Sequence, residues 1–238
     1  MRDTGKPPDR AERLSPTLTI WGVVGLFGCV DKIEIPRKAI YRLSIYQRCL
    51  RRLWENGLEM VSSSALAKAA GVKSSQLRKD LGYFGQFGTR GLGYSVEELL
   101  NAIRELLGRT QFQPVVLVGA GNLGSALLRY QGFEKEGFEV VAAFDAFPET
   151  VLKRGIGTAV LPIGDMLEFV KKGGVRLAIL CVPAEHAQEV TNDLVGAGVT
   201  GILNFSPSVL QVPEAVTVNN VDLALELENL SYFVREEG

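Results

Sequence analysis

An α/β architecture in two parts is predicted for this 238-residue chain: a small helix-rich unit with a glycine-rich hairpin, then a doubly wound parallel sheet and a C-terminal helix. Three observations predict it. Charge is segregated, because residues 32–110 carry fourteen basic against seven acidic side chains and residues 111–238 carry eight against sixteen, although the whole chain nets only −1. Short helical patterns separated by small-residue turns fill the basic part, and strand-like apolar runs alternating with helices fill the acidic part. The 46% of hydrophobic residues suffices for two modest cores and excludes disorder, collagen and disulfide-held miniproteins. A solvated surface has no reason to sort its charges in this way, whereas a polyanion-binding unit joined to an acidic one does.

Residues 1–31 balance four basic against four acidic groups and read as an unstructured N-terminal extension. Within them the run Leu18–Val30 is too short to span a membrane, but it resembles a signal h-region preceded by Arg10 and Arg13. Leu26-Phe27-Gly28-Cys29 approaches a lipobox, with Phe27 where a small residue belongs. Everything downstream argues against export. Cys29, Cys49 and Cys181 are odd in number and lie at no metal-ligand or Cys-x-x-Cys spacing, so neither a disulfide framework nor a metal site is expected. A reducing, cytoplasmic setting without membrane attachment follows.

In the basic unit, residues 32–110, the stretch Arg37–Asn56 places Ile40, Leu43, Leu50, Leu53 and Trp54 on one helical stripe and Arg42, Arg48, Arg51 and Arg52 on the rest of the surface. Gly57 supplies the stop. Ser62–Ser64 offer caps for a short helix Ala65–Ala70, Gly71-Val72 turns the chain, and Ser74 or Ser75 caps a third helix running to about Phe84. This is helix-turn-helix spacing, with Val72, Leu77 and Leu81 inward and Ser75, Gln76, Arg78 and Lys79 outward. Such side chains reach base edges and phosphates. The segment Gly82–Tyr94 holds five glycines after Gly82 or at it and reads as a wing, presenting Arg90 to a minor groove. Ser95-Val96-Glu97-Glu98 is a capping box opening a helix that Gly108 closes. A winged helix-turn-helix that binds double-stranded DNA is the expectation.

In the acidic unit, residues 111–220, the buried strand Pro114–Val118 runs into Gly119-Ala120-Gly121-Asn122-Leu123-Gly124. A second strand, Phe138–Phe144, ends in Asp145, twenty-one residues past Gly124, where a ribose-binding acid belongs. Strand, glycines, helix, strand and acid in register predict a Rossmann-type fold. Gly119 makes the turn, Gly121 lets backbone touch a pyrophosphate, and Gly124 permits close helix–strand packing. Asp145 accepts from ribose hydroxyls and repels a 2′-phosphate; no Arg or Lys follows before Lys153, so NADH and NAD⁺ are expected as cofactors rather than their phosphorylated counterparts. Strands Arg176–Val182 and Val199–Phe205 flank a helix Ala184–Ala197, and their ends bring Val182, Pro183, Asn204, Phe205 and Ser206 to the ligand edge of the sheet. No nucleophile, base and orienting group assemble, so no catalytic residue is expected. His186, in a helical first turn, reads as a solvent-facing or capping residue, and Cys181 as a small hydrophobe.

Residues 221–238 contain Leu223, Leu227, Leu230 and Val234 at i, i+4, i+7 and i+11, an amphipathic helix with Asp222 before it. Periodicity alone leaves two covers for that face, its own sheet or a second subunit.

Taken in order, Gln76-Leu77-Arg78-Lys79-Asp80-Leu81-Gly82-Tyr83-Phe84-Gly85, Gly88–Tyr94, Gly121–Gly124 with Tyr130, Gly201–Phe205 and Asn220-Val221-Asp222 resemble the Rex family of redox-sensing transcriptional repressors, from about Ile35 to Val234. The resemblance implies a homodimer that binds a palindromic operator, is released by NADH and is opposed by NAD⁺. It implies that Arg78 and Lys79 read the major groove and Arg90 the minor groove. It further implies an exchanged C-terminal helix lodged against the partner, which puts Asp222 close to Arg48 and Tyr130; from that placement Asp222 is expected to change its contact between the two, and the nicotinamide ring is expected near Phe205, Tyr130 and Leu223 in an apolar site that disfavours its cationic form. Two rivals remain at this point: an NAD-dependent oxidoreductase with an appended basic domain, and a CoA-binding domain. Asp145 argues against the second, since CoA bears a 3′-phosphate where this acid expects a free diol.

Overall fold

The computed structural model describes residues 35–89, 91–108, 110–152 and 158–235. The run Leu18–Val30 and Arg90 therefore lie outside the described residues. The basic part folds as helices α1 (Arg37–Glu55), α2 (Ser63–Ala69), α3 (Ser74–Gly82) and α4 (Val96–Leu106) with two short strands, β1 (Met60–Val61) and β2 (Tyr94–Ser95), paired antiparallel. Leu43, Leu50, Leu66, Leu77, Val96 and Ile103 form the centre of its core. The buried stripe of α1 is Ala39, Leu43, Tyr46, Gln47 and Leu50, while Ile40 and Trp54 face solvent. The expected stripe was thus rotated by part of a turn, because Tyr46 goes inward with its hydroxyl bonded and Trp54 near the helix end does not.

Capping follows the sequence at two of three helices. Ser62 Oγ accepts from the Ala65 amide at 3.1 Å, and Ser95 Oγ accepts from the Glu98 amide at 3.3 Å. At α3 the expectation fails: the cap position is Lys73, and neither Ser74 nor Ser75 caps the helix they begin. The wing is small, a single bridge between Thr89 and Gly93 beside the β1–β2 pair.

One buried carboxylate joins α1 to α3. Asp80 has no solvent exposure, and it accepts from Arg42 Nε at 2.5 Å, Arg42 Nη2 at 2.7 Å, Tyr46 Oη at 2.7 Å and Gln76 Nε2 at 2.8 Å. Burial by itself raises its pKa, but the hydrogen bonds from Arg42, Tyr46 and Gln76 outweigh that and hold the carboxyl below its ordinary value of 3.8. Burial first, and then the Asp80 bond, push the Tyr46 hydroxyl upward, so it stays a donor.

The acidic part is one six-stranded sheet, all parallel: β3 (Gln113–Val118), β4 (Phe138–Asp145), β5 (Val160–Pro162), β6 (Leu177–Leu180), β7 (Gly201–Asn204) and β8 (Thr217–Asn220), in the order β5-β4-β3-β6-β7-β8. Counting from β3, this is the 3-2-1-4-5-6 order of a Rossmann fold, with its switch point between β3 and β6. Helices α5 (Asn122–Leu128), α6 (Gly132–Lys135), α7 (Pro148–Leu152), α8 (Met166–Gly173) and α9 (Ala184–Gly196) complete the crossovers. Alternate strand residues feed two cores: Val116, Val118, Ala142, Phe144 and Leu180 pack with α8 and α9, while Val115, Leu117, Ala143 and Ile179 face the opposite way. Strands β5 and β8 were not predicted; each is short, and β8 (Thr217–Asn220) lacks an apolar run.

The last helix, α10 (Leu223–Arg235), leaves Leu223, Leu227, Leu230 and Val234 exposed, together with Leu225, Tyr232 and Phe233. Of the two covers that periodicity allowed, packing on its own sheet is not the one this chain adopts. The sheet face carrying Val115 and Ile179 correspondingly holds an apolar groove of about 380 Å³, lined by Tyr130, Phe133, Leu177 and Ile202 among others, with Arg48 at its edge.

Asp80→Asn is expected to destabilise the basic helical part by about 3 kcal/mol, since it leaves Arg42 without its buried counter-ion. Urea denaturation measures this. Because the folded pKa is depressed, the stabilisation from Asp80 is complete above pH 3.8 and fades as pH falls below it, a fade that the Asn variant lacks.

Candidate nucleotide cleft and nucleic-acid face

The carboxyl ends of β3, β4, β6 and β7 open into a cleft of about 870 Å³ at the switch point. Gly119, Gly121, Asp145, Val182, Pro183 and Phe205 line it. Gly119 has φ +92° and lies against Cys181, where a Cβ would come 2.6 Å from the backbone carbonyl. At Gly124 a Cβ would sit 2.0 Å from the Gly119 carbonyl oxygen, so close packing of α5 on β3 demands glycine there. Gly121 is the reverse case. Nothing lies within 4 Å of a Cβ built on it, so the backbone is bare toward the cleft, which fits a phosphate cradle.

Asp145 closes the loop from the other side, its Oδ2 accepting from the Ala120 amide at 2.8 Å and its Oδ1 from the Phe147 amide at 2.8 Å. The carboxylate is thereby aimed across the glycine turn, as a ribose-binding acid must be. These residues fit an adenine dinucleotide.

Not every expected residue touches the cleft. Ala120 and Gly124 are buried beneath it. Asn122 and Leu123 begin α5 behind the turn. Asn204 is buried and structural, donating to Ser208 carbonyl at 3.0 Å and Asn220 Oδ1 at 2.9 Å while accepting from the Ser206 amide at 2.9 Å. Ser206 donates to the Val182 carbonyl at 2.6 Å, tying the loops after β6 and β7 together. Sequence reasoning missed Phe147, Ile163, Leu167 and Val190 in the lining, which lie on turns and helix faces that carry no motif. His186 is exposed at the cleft rim, and burial pushes the Cys181 thiol up to about 12.

On α3, Ser75, Arg78 and Lys79 are exposed and Gln76 is half-buried by its bond to Asp80. Arg78 Nη1 donates to Ser63 Oγ at 3.1 Å, which holds the guanidinium beside the α2 N-terminus. Arg48 and Tyr130 line one groove between the two parts, whereas Asp222 caps α10, accepting from the Ala224 amide at 2.9 Å and the Leu225 amide at 3.1 Å. Within one chain, then, Arg48 and Tyr130 are together and Asp222 is not with them. Nor do Tyr130 and Leu223 join Phe205 in the cleft.

Comparison with known proteins gives matches over both parts. A repressor named "Redox-sensing transcriptional repressor Rex" from Carboxydothermus hydrogenoformans is 48% identical over 204 residues, 86% of this chain and 98% of that protein. The chain belongs to the Rex family. The Rex protein of Streptomyces coelicolor is 48% identical over 198 residues, 83% of this chain and 77% of the relative. Residues 34–82 match the family described as "Putative DNA-binding protein N-terminus" and residues 110–208 the one described as "CoA binding domain". Among solved Rex structures, RSP in complex with β-NAD⁺ and operator DNA superposes with TM-score 0.79 at 38% identity, covering 87% of this chain and 95% of that one. RSP in complex with β-NADH gives 0.75 at 37% identity, covering 87% and 97%. The Rex relatives are named repressors, which sets the oxidoreductase reading aside.

Gly124→Ala is expected to lower stability by about 2 kcal/mol or more, because backbone must move. Gly121→Ala is expected to melt like the wild type and to lose dinucleotide affinity. Thermal unfolding with and without NADH separates the two.

Proposed function

We propose that this chain represses transcription as a homodimer on palindromic operator DNA and that NADH in the Rossmann cleft ends that binding, so that the protein follows the cellular NADH/NAD⁺ balance. Residues 32–110 serve as the DNA-binding domain, 111–220 as the NADH domain and 221–238 as the dimerisation helix, with the cytoplasm as its place of work. The observation that carries the reading is the union in one chain of a bare glycine turn faced by Asp145 and an exposed basic helix α3.

Ser75, Gln76, Arg78 and Lys79 read the major groove and Arg90 the minor groove. The dinucleotide lies over Gly119–Gly124, with its adenosine ribose at Asp145. That acid disfavours NADPH and CoA alike, since each brings a phosphate to the same diol. Both redox forms share every phosphate and ribose contact, so only the ring distinguishes them. Val182, Pro183 and Phe205 offer an apolar wall, which disfavours the cationic ring of NAD⁺ and favours NADH. The exposed apolar face of α10 and the groove at Tyr130 and Arg48 support an exchanged helix, which would bring the partner's α10, and the Asp222 that caps it, to those two residues.

The test is a gel-shift on a palindromic duplex selected with the wild-type chain from a randomised pool, titrated separately with NADH, NAD⁺ and NADPH. Release by NADH at lower concentration than by either of the others is expected; equal release by all three would remove the sensor. Operator affinity should fall steeply as salt rises. Lys79→Ala is expected to cost about 1–3 kcal/mol of operator binding and to relax one operator position.

A further inference from the structure

Among the described residues, α1 joins the two parts of the chain by charge. Arg51 Nη1 donates to the Lys135 carbonyl at 2.7 Å and Nη2 to Glu136 Oε1 at 2.6 Å, and Arg48 Nε lies 3.3 Å from the same oxygen. The Glu136 side chain is 11% exposed and that of Arg51 24%, so the contact is mostly withdrawn from water and outweighs an ordinary surface pair. Glu136 follows α6 and immediately precedes Gly137 and β4, the strand whose far end carries Asp145. It does not line the nucleotide cleft.

The surroundings of Glu136 are one-sided. The groove it occupies, about 480 Å³, is lined by Arg48, Arg51 and Arg52 from α1 and by Arg129 and Lys135 from the nucleotide part, with Glu136 the one acidic residue in that lining. In that lining Glu136 is the carboxylate that meets Arg48 and Arg51 across the domain boundary. Without it, Arg48 and Arg51 face Lys135 across the boundary, and like charges favour separation. The other half of α1 is held just as firmly: Arg42 and Tyr46 grip Asp80 of α3. Arg42 and Arg51 are nine residues apart, about 13 Å along a helix axis. One stiff rod thus runs from Glu136 to the recognition helix.

We infer that Glu136 is a positioning residue for repression: it holds Arg51 and Arg48, thereby sets α1 and α3 in the orientation that grips the operator, and is the contact that NADH-driven release must overcome. The inference rests on the NADH-released repressor reading given above. Since a ligand shifts two states only by its differential affinity, weakening the hold moves the balance toward the state NADH prefers.

The experiment uses the full chain and two variants that break the same contact from opposite sides, Glu136→Gln and Arg51→Gln. Fluorescence anisotropy on the selected palindromic duplex gives operator affinity and the NADH concentration for half-release, and calorimetry without DNA gives NADH affinity. Both variants are expected to fold, to bind NADH at least as tightly as wild type, and to release the duplex at about fivefold lower NADH. A half-release concentration that is unchanged or raised in either variant overturns the inference. So does a parallel loss of operator and NADH affinity, which marks a merely structural role. If the wild type itself is not released by NADH, the functional reading and the inference fall together; if it is released and the variants match it, only the inference falls.

Discussion

A parallel sheet must be covered on both faces, and the way this chain meets that demand organises the rest of it. One face is closed conventionally by α8 and α9 over Val116, Phe144 and Leu180. The other is covered by α5 and α6 only in part, leaving the groove at Tyr130, Phe133 and Ile202. Into that region the DNA-binding part leans through Arg48 and Arg51, while α10 projects an apolar face that nothing in its own chain covers. An incomplete sheet face and an uncovered helix in one chain present the same demand for apolar cover, and the first of them opens beside Arg48 of the basic part.

Charge segregation has a parallel logic. The basic surplus of residues 32–110 does two jobs, since Arg78 and Lys79 stand outward on α3 while Arg42 turns inward to Asp80 and Arg51 reaches across to Glu136. Net charge predicted a polyanion partner without distinguishing these uses. The distinction comes from burial: a guanidinium committed to a withdrawn carboxylate is architecture, and one left in solvent on α3 is available to phosphate or base.

The sheet core, the glycine turn and Asp145 were legible because each obeys a strict local rule: unbroken apolar runs, Gly119 at φ +92°, and an acid at the end of the second strand. The helix-turn-helix was legible for the same reason. What escaped depends on contacts distant in sequence. Asp80 carries no local signal of its role in α3, yet it is gripped from thirty-eight residues away by Arg42 and from thirty-four away by Tyr46. Tyr46 packs in the core with its hydroxyl bonded to Asp80, a partner that the periodicity of α1 does not reveal, and the predicted stripe was misplaced accordingly. Asn204 and Ser206 were read as ligand contacts because they sit at a sheet edge; their bonds to Asn220 and Val182 show them shaping that edge. Cleft residues such as Leu167 and Val190 carry no pattern beyond amphipathic helix, so only the folded arrangement reveals them.

Two thiols among the described residues, Cys49 and Cys181, bear on how the protein meets oxidising conditions. Burial raises the pKa of Cys181 to about 12 and also raises that of Cys49, with Arg52 pulling the latter back only in part. At neutral pH both are overwhelmingly protonated, and a protonated thiol is a poor nucleophile toward peroxide. Cys181 lines the nucleotide cleft, partly buried and held as the thiol. Neither of these two sulfurs has the thiolate character of a peroxide detector, so the sensing proposed above calls on reversible occupancy of the cleft rather than on their covalent chemistry.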